Sequence, residues 1–423
     1  MEYLDEMLAA RLVQETQALA PQLAEWRRHL HQNPEVGFGT ADTEAFVRAK
    51  LSEAGIELLD ARLGVLGVIR APHADGMVGL RADMDALPME ELNDVPYCSK
   101  RKGAMHACGH DGHTAMLLGA AMVLQAHRAQ LRKDVLLVFQ PAEEGPDLGG
   151  ARRILPDLEE KGILPKLEAM FALHLTTEYA LGSVGILCGS VMASTDELDI
   201  TITGLGGHAG MPHQCIDALS LGARYVTEME SFMARRIDPF EPAVFAVGTF
   251  HAGTVRNVVP ERAELTVTLR CQSEATRAFI LDGAQRVLHG LCSAAGARGE
   301  AVIRHGLPVL ITDEQQELYA EKLAEELGLA PVHPKHGQMG AEDFAYFAQK
   351  VPSAFVWLGA RNEEKGFTHL LHDPRFDFDE AALPLGACLG LAARLLVFLL
   401  LPLLILAALT EAYVTPLAAG LFL

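Results

Sequence analysis

The sequence predicts an α/β protein with an open, mostly parallel sheet that is interrupted by a smaller α+β domain. Three observations carry this. Short apolar strands alternate with helical stretches from Gly67 to Leu187, the pattern of a largely parallel sheet covered on both faces. Between Glu197 and His305 the order becomes strand, helix, strand, strand, helix, strand, which is the ferredoxin-like arrangement. Past Leu307 the earlier rhythm resumes, so the middle pattern reads as an insertion large enough to fold around its own core.

Each element has a local reason. Glu15 to Leu30 puts Leu19, Leu23, Trp26 and Leu30 on one helical face and stops at Asn33-Pro34. A second helix, Thr43 to Ala54, ends at Gly55. Strands are expected at Gly67–Arg70, Val78–Ala82, Val135–Gln140, Met170–Leu175 and Val184–Leu187, with helices at His113–His127 and Ala151–Lys161 between them. In the insertion, Glu197–Thr203 alternates as a half-exposed strand and Gly204-Leu205-Gly206-Gly207 turns. Asp217–Arg235 and Glu274–Ala295 are its helices; Ala243–Thr249, Ala263–Leu269 and Ala301–His305 are its other strands. Helices Glu314–Leu327 and Ala341–Gln349, strand Ala354–Leu358 and a final helix from Glu380 to about Leu400 follow. The expected domains are therefore 1–189 and 307–400 for the larger one, 190–306 for the insertion with hinges near Gly189 and Gly306, and 401–423 for an apolar tail.

Composition narrows the function. A chain of 423 residues is too long for one compact core. With 55 acidic against 35 basic residues, its net charge of −20 argues against a nucleic-acid partner. Seven scattered cysteines make no disulfide framework and fit a reducing, cytoplasmic compartment. The start has neither the basic nor the apolar region of a signal peptide. Leu395 to Thr410 carries no charge, but it contains Pro402 and falls short of the roughly 20 apolar residues that span a bilayer. A buried helix with a greasy tail is expected there; a membrane anchor or a subunit contact is the alternative.

The densest polar signal is Met105-His106-Ala107-Cys108-Gly109-His110-Asp111-Gly112-His113, just before an apolar helix. Cys108 and His110 offer a thiolate and an imidazole, which suit zinc and other late divalent metals; short Cys/His clusters also occur as capped helix starts. Glu143-Glu144 follows the strand Val135–Gln140, and strand ends of open α/β sheets are where ligands bind. Adjacent glutamates repel unless cations hold them; otherwise they form a solvated acidic loop. His174 ends an apolar strand, where a core histidine is the bland alternative, and His372 lies in Leu371-His372-Asp373-Pro374 with His369 as competitor. His106 and His113 read as supporting or helix-capping residues, and Asp111 as a group that orients a ligating histidine.

Six strings occur in order: His29-Leu30-His31-Gln32-Asn33-Pro34-Glu35, Met105–His113, Pro141-Ala142-Glu143-Glu144, Gly206-Gly207-His208-Ala209, Asn257-Val258-Val259-Pro260 and Gly340-Ala341-Glu342-Asp343-Phe344. From about Leu23 to about Leu396 the chain resembles the metal-dependent amidohydrolases related to hippurate hydrolase, N-acyl-amino-acid hydrolases and plant auxin-conjugate hydrolases. These are a branch of the aminoacylase and carboxypeptidase G metallopeptidase family. The resemblance implies that Cys108, His110, Glu144, His174 and His372 hold two divalent ions per subunit, Mn²⁺ or Zn²⁺ with Co²⁺ or Ni²⁺ as alternatives. It implies Glu143 as general base, His208 reaching a partner subunit's site, and Asn257 and Arg270 holding the polar end of an N-acyl amino acid; a surface Arg is the bland reading of Arg270. It further implies that the insertion acts as a lid and forms a homodimer. In the wider family a His-x-Asp pair belongs to the metal set; Arg81-Ala82-Asp83 stands in that place here, which favours the amidohydrolase branch over a peptidase. Asp373 adds a negative charge beside the last ligand. A catalytically silent metal-binding scaffold would be expected to lack Glu143 or a ligand, and a thiol enzyme using Cys108 with His110 would leave the glutamate pair without a role.

Overall fold

The computed structural model describes residues 6–145 and 148–390. The tail expected at 401–423 and the end of the last helix lie outside these residues; within them, 382–390 are helical. The chain forms two compact units: the first comprises the described residues up to Gly189, Thr312–Lys335 and those from Tyr346 onward, the second Ser190–Ile311 and His336–Ala345. The sequence alone places 336–345 with the larger domain. In the structure this segment pairs with the start of the second unit, where the Ala193 N–H reaches the carbonyls of Gln338 and Gly340.

The first unit is built on an eight-stranded mixed sheet in the order Glu57–Leu59, Val65–Ile69, Asp134–Gln140, Met77–Asp83, Leu167–Ala180, Ser353–Arg361, Ser183–Gly185, Ala330–Val332. Its four central strands run parallel, so their C-terminal ends lie on one edge. Met77–Asp83 is buried along its whole length, as a strand covered on both faces must be. Helix His110–Ala126 is buried almost all round, which is why its sequence shows little amphipathic contrast. Its first turn fits closely: a Cβ on Gly112 would lie 2.6 Å from Leu175 Cδ1 and 2.7 Å from Phe378 Cζ, so only glycine is accommodated without movement.

Two expected helices differ. Glu15–Leu30 is not one helix but two, Glu6–Ala18 and Ala20–Gln32, because Pro21 lacks an N–H and sits in the first turn of the second. Of Ala341–Gln349 only Ala345–Ala348 is helical; the Glu342 carboxylate accepts the Phe344 N–H at 2.9 Å, a local bond that competes with the helical one.

The second unit has a four-stranded antiparallel sheet ordered Ala243–Ala252, Arg262–Cys271, Ser194–Thr203, Arg298–His305. Alternate residues Leu198, Ile200 and Ile202, paired with Val267, Leu265 and Ala263, pack under helices Ala218–Arg236 and Glu274–Ala295. Period-two burial on one face explains why these strands were legible as alternating patterns.

Candidate metal centre

The candidate ligands of the first unit come from a helix start, a strand end, one later turn and the middle of a strand: His174 does not end its strand as expected, because pairing with Ser353–Arg361 carries that strand on to Ala180. Cys108 and His110 flank Gly109, whose φ of 82° turns the chain sharply into the helix His110–Ala126. His174 lies on Leu167–Ala180, and Glu143 and Glu144 follow Asp134–Gln140. His372 arrives from a turn whose N–H donates to the Ala107 carbonyl at 2.8 Å. Ala142 and His372 both hold left-handed backbone, with φ of 59° and 65°; such strained non-glycine residues cluster at functional sites.

The ligand atoms converge. Cys108, His110 and His174 form one group and Cys108, Glu144 and His372 another, each with its donor atoms within 4.8 Å of one another. His110, Glu143 and Glu144 form a third. Cys108 Sγ is 3.4 Å from His174 Nε2, and His372 Nε2 is 2.8 Å from Glu144 Oε1.

Hydrogen bonding prepares these groups for a cation. His174 Nδ1 faces the Leu175 carbonyl at 2.7 Å and His110 Nδ1 the Asp85 carbonyl at 2.9 Å, which places the proton of each neutral ring on Nδ1. Nε2 of His110 is buried without a hydrogen-bond partner. An orphaned imidazole nitrogen beside a thiol, a second imidazole and carboxylates is a fit for a late divalent metal. Without a cation the electrostatics divide these groups, leaving His174 neutral and Glu144 ionised while holding protons on Cys108 and His110. Burial drives His174 well below its usual range, keeping it neutral, and pushes the Cys108 thiol well above its range with help from Glu144 and Glu143. Burial would lower His110, but Asp83 and Asp85 raise it to about 10. Burial would raise Glu144, yet His372 and His110 hold it below the carboxylate range. A bound cation reverses this pattern at sulfur, since a coordinating thiol is deprotonated outright. A thiol pushed upward by its surroundings is the opposite of a catalytic cysteine.

The remaining expected site residues lie in the second unit. His208 is exposed on the short strand Gly207–His208, paired with Val258–Val259, and Asn257 is exposed beside it, its carbonyl accepting the Ala209 N–H at 3.1 Å. Arg270 is half-buried near the end of Arg262–Cys271, and burial lowers its pKa.

The family model described as peptidase family M20/M25/M40 matches residues 79–393. The chain belongs to that family. It is 36% identical over 373 residues to a Bacillus subtilis N-acetylcysteine deacetylase, covering 88% of this chain and 95% of the relative. It is 35% identical over 383 residues to thermostable carboxypeptidase 2 of Saccharolobus solfataricus, covering 90% and 96%. A solved Bacillus subtilis structure, described as a dinuclear metal binding peptidase from the M20 family, superposes with a TM-score of 0.79 at 32% identity, covering 90% of this chain and 99% of that one.

One residue of this M20/M25/M40 member, Asp85, escaped sequence reasoning, and two others, Asp83 and Asp111, have partners that the sequence did not indicate. Asp85 accepts the backbone N–H groups of Glu143 at 2.8 Å and Glu144 at 3.1 Å, fixing the glutamate pair from behind. Asp83, seen in sequence only as part of Arg81-Ala82-Asp83, accepts from His113 Nδ1 at 2.6 Å, while His113 Nε2 accepts the Leu175 N–H at 2.8 Å. Both nitrogens of His113 are thus occupied, which makes it a brace. Asp111 does not orient a ligating ring through its carboxylate as expected; its Oδ2 meets Arg27 at 2.8 Å and His31 at 2.7 Å. The available signal was Asp83-Met84-Asp85, one acid ending the buried strand Met77–Asp83 and a second two residues beyond it.

Proposed function

We propose that this protein is a two-metal amidohydrolase that cleaves the amide bond of N-acylated amino acids. The observation that carries the reading is that Cys108 belongs to two ligand groups at once, with Glu143 beside them. One position would be held by Cys108, His110 and His174, the other by Cys108, Glu144 and His372. The deacetylase and the dinuclear metal binding peptidase among its relatives support the same chemistry.

When bound, divalent ions supply Lewis acidity that polarises a carbonyl and lowers the pKa of water from 15.7 towards about 7. The chain's own residues do the rest. Glu143, its backbone held by Asp85, takes the proton of the attacking water on a carboxylate oxygen and returns it to the leaving amine nitrogen. His208 of a second subunit donates a hydrogen bond to the developing oxyanion, and such a donor is typically worth about 10²–10³ in rate. Asn257 and the guanidinium of Arg270 hold the polar end of the substrate, the latter suited to a carboxylate by its fork of donors.

The second unit acts as lid and dimerisation domain in this reading. Its support is the strand Ala243–Ala252, which stands at the edge of its sheet and exposes Val244 and Phe250, since edge strands invite pairing with another chain. A reducing, cytoplasmic setting is supported by seven free cysteines. No helix among the described residues is long and apolar enough to cross a membrane.

The test is hydrolysis of a panel of N-acylated amino acids, with activity lost in EDTA and regained with Mn²⁺ or Zn²⁺. Failure on every member of the panel with metal restored would contradict the proposal.

A further inference from the structure

Cys108 and His110 come from one stretch of the first unit and His372 from another, with the second unit between them in sequence. A shared ligand set needs these stretches held at a fixed spacing. Behind it lies Arg27, whose side chain is fully buried. Its Nε donates to Asp111 Oδ2 at 2.8 Å and its Nη2 to Asp377 Oδ1 at 2.7 Å. Asp111 directly follows His110, and Asp377 is in the chain that continues from His372. The guanidinium carbon sits 4.4 Å from the Phe378 ring centroid, and Phe378 in turn packs on Gly112 in the first turn of the ligand-bearing helix. Asp377 is anchored from its other oxygen by the Tyr97 hydroxyl at 2.7 Å.

Two buried carboxylates from separate stretches repel unless a cation stands between them. A guanidinium can serve both, because its donors form a rigid fork, whereas a lysine ammonium is a single point of charge. The hydrogen-bond partners of Arg27 are Asp111, Asp377, Glu380 and His31, none of them an expected ligand; His31 shares Asp111 Oδ2 at 2.7 Å, and Arg27 reaches the site through the residues that flank His110 and follow His372.

We propose that Arg27 is a positioning residue of the metal centre. By clamping Asp111 and Asp377 to one guanidinium it sets the reach of His372 towards Cys108 and Glu144, and with it the affinity of the metal position those three residues form. This rests on the two-metal reading above.

Full-length wild type, Arg27→Lys and Asp377→Asn are stripped with chelator, dialysed against graded Mn²⁺ and assayed for bound metal by elemental analysis, with thermal melting of the stripped proteins alongside. Asp377→Asn keeps the Arg27–Asp111 pair and decides the matter should Arg27→Lys fail to fold. The expected result is that Asp377→Asn binds the first ion as wild type does and the second about 10–100-fold more weakly, the usual cost of losing a partner behind a ligand. In a His372→Ala background the same change should add no further loss. Two ions held with wild-type affinity by Asp377→Asn, whatever its melting temperature, would overturn the proposal, as would an added loss in the His372→Ala background. A wild type that binds fewer than two ions would instead overturn the two-metal reading, and this proposal with it.

Discussion

Nε2 of His174 points at Cys108 Sγ from 3.4 Å, while Nδ1 of the same ring is tied to the Leu175 carbonyl at 2.7 Å. The backbone thus fixes which nitrogen keeps the proton and leaves the other as a lone-pair donor beside the sulfur. Since Cys108 is common to both ligand groups, replacing it should weaken both metal positions together. Cys108→Ser is expected to lower metal affinity by more than about 100-fold, beyond the range seen for residues that merely support a ligand. Elemental analysis after dialysis checks this; two ions retained by the variant would show that the thiol is not shared.

In the proposed function Glu143 and Glu144 have different parts. Glu144 bonds His372 at 2.8 Å, whereas Glu143 is proposed to transfer the proton. Glu143→Gln should therefore keep its metal and lose turnover by about 10²–10⁴-fold, the usual worth of a general base. Unchanged turnover at full metal content would remove Glu143 from that role.

If His208 acts across a dimer, two inactive proteins should rescue each other. Mixing His208→Ala with Glu143→Gln and allowing subunits to exchange should restore part of the wild-type rate, because some hybrid dimers contain one complete site. Verified hybrids with no gain in rate would confine His208 to its own subunit.

A buried carboxyl far from this chemistry gives a pH test of the fold. Glu317 is fully buried; burial pushes its pKa up to about 8, against the lowering effect of the Phe355 N–H bond at 2.8 Å. A folded pKa above the unfolded one means that the native state holds the proton more tightly. Stability from this group is present at low pH and is lost as pH rises through about 8. Relative to Glu317→Gln, wild type should lose stability across that window with a slope of up to ~1.4 kcal/mol per pH unit. Denaturant unfolding at pH 5 and pH 8 checks it; parallel pH profiles for the two proteins would show that Glu317 does not titrate there.

Much of the fold was legible because its signals are local. Alternation in Glu197–Thr203 and the apolar run Val135–Phe139 each state a burial pattern that one stretch of chain can express. Cys108, His110 and Glu144 were legible because they stand where chain geometry places function, at a helix start and a strand end. What stayed hidden depends on partners distant in sequence. Arg27 finds Asp377 across 350 residues, and nothing around either residue announces the other. Asp85 was missed for a different reason: its carboxylate binds backbone N–H groups, which every residue except proline carries, so no motif marks the pairing. The break at Leu19 was hidden because the apolar spacing runs through it, although Pro21 marked the fresh start.

If Cys108 and its neighbours hold a pair of ions on which hydrolysis depends, cobalt substitution makes both the ions and the thiolate visible in one titration. Chelator-stripped protein titrated with Co²⁺ is followed by near-ultraviolet absorbance, elemental analysis and hydrolysis of an N-acetyl amino acid. The expected outcome is a thiolate-to-cobalt absorption band, saturation at two ions per chain, and activity that returns with them. Full hydrolysis in chelator with no ion bound and no such band would contradict it.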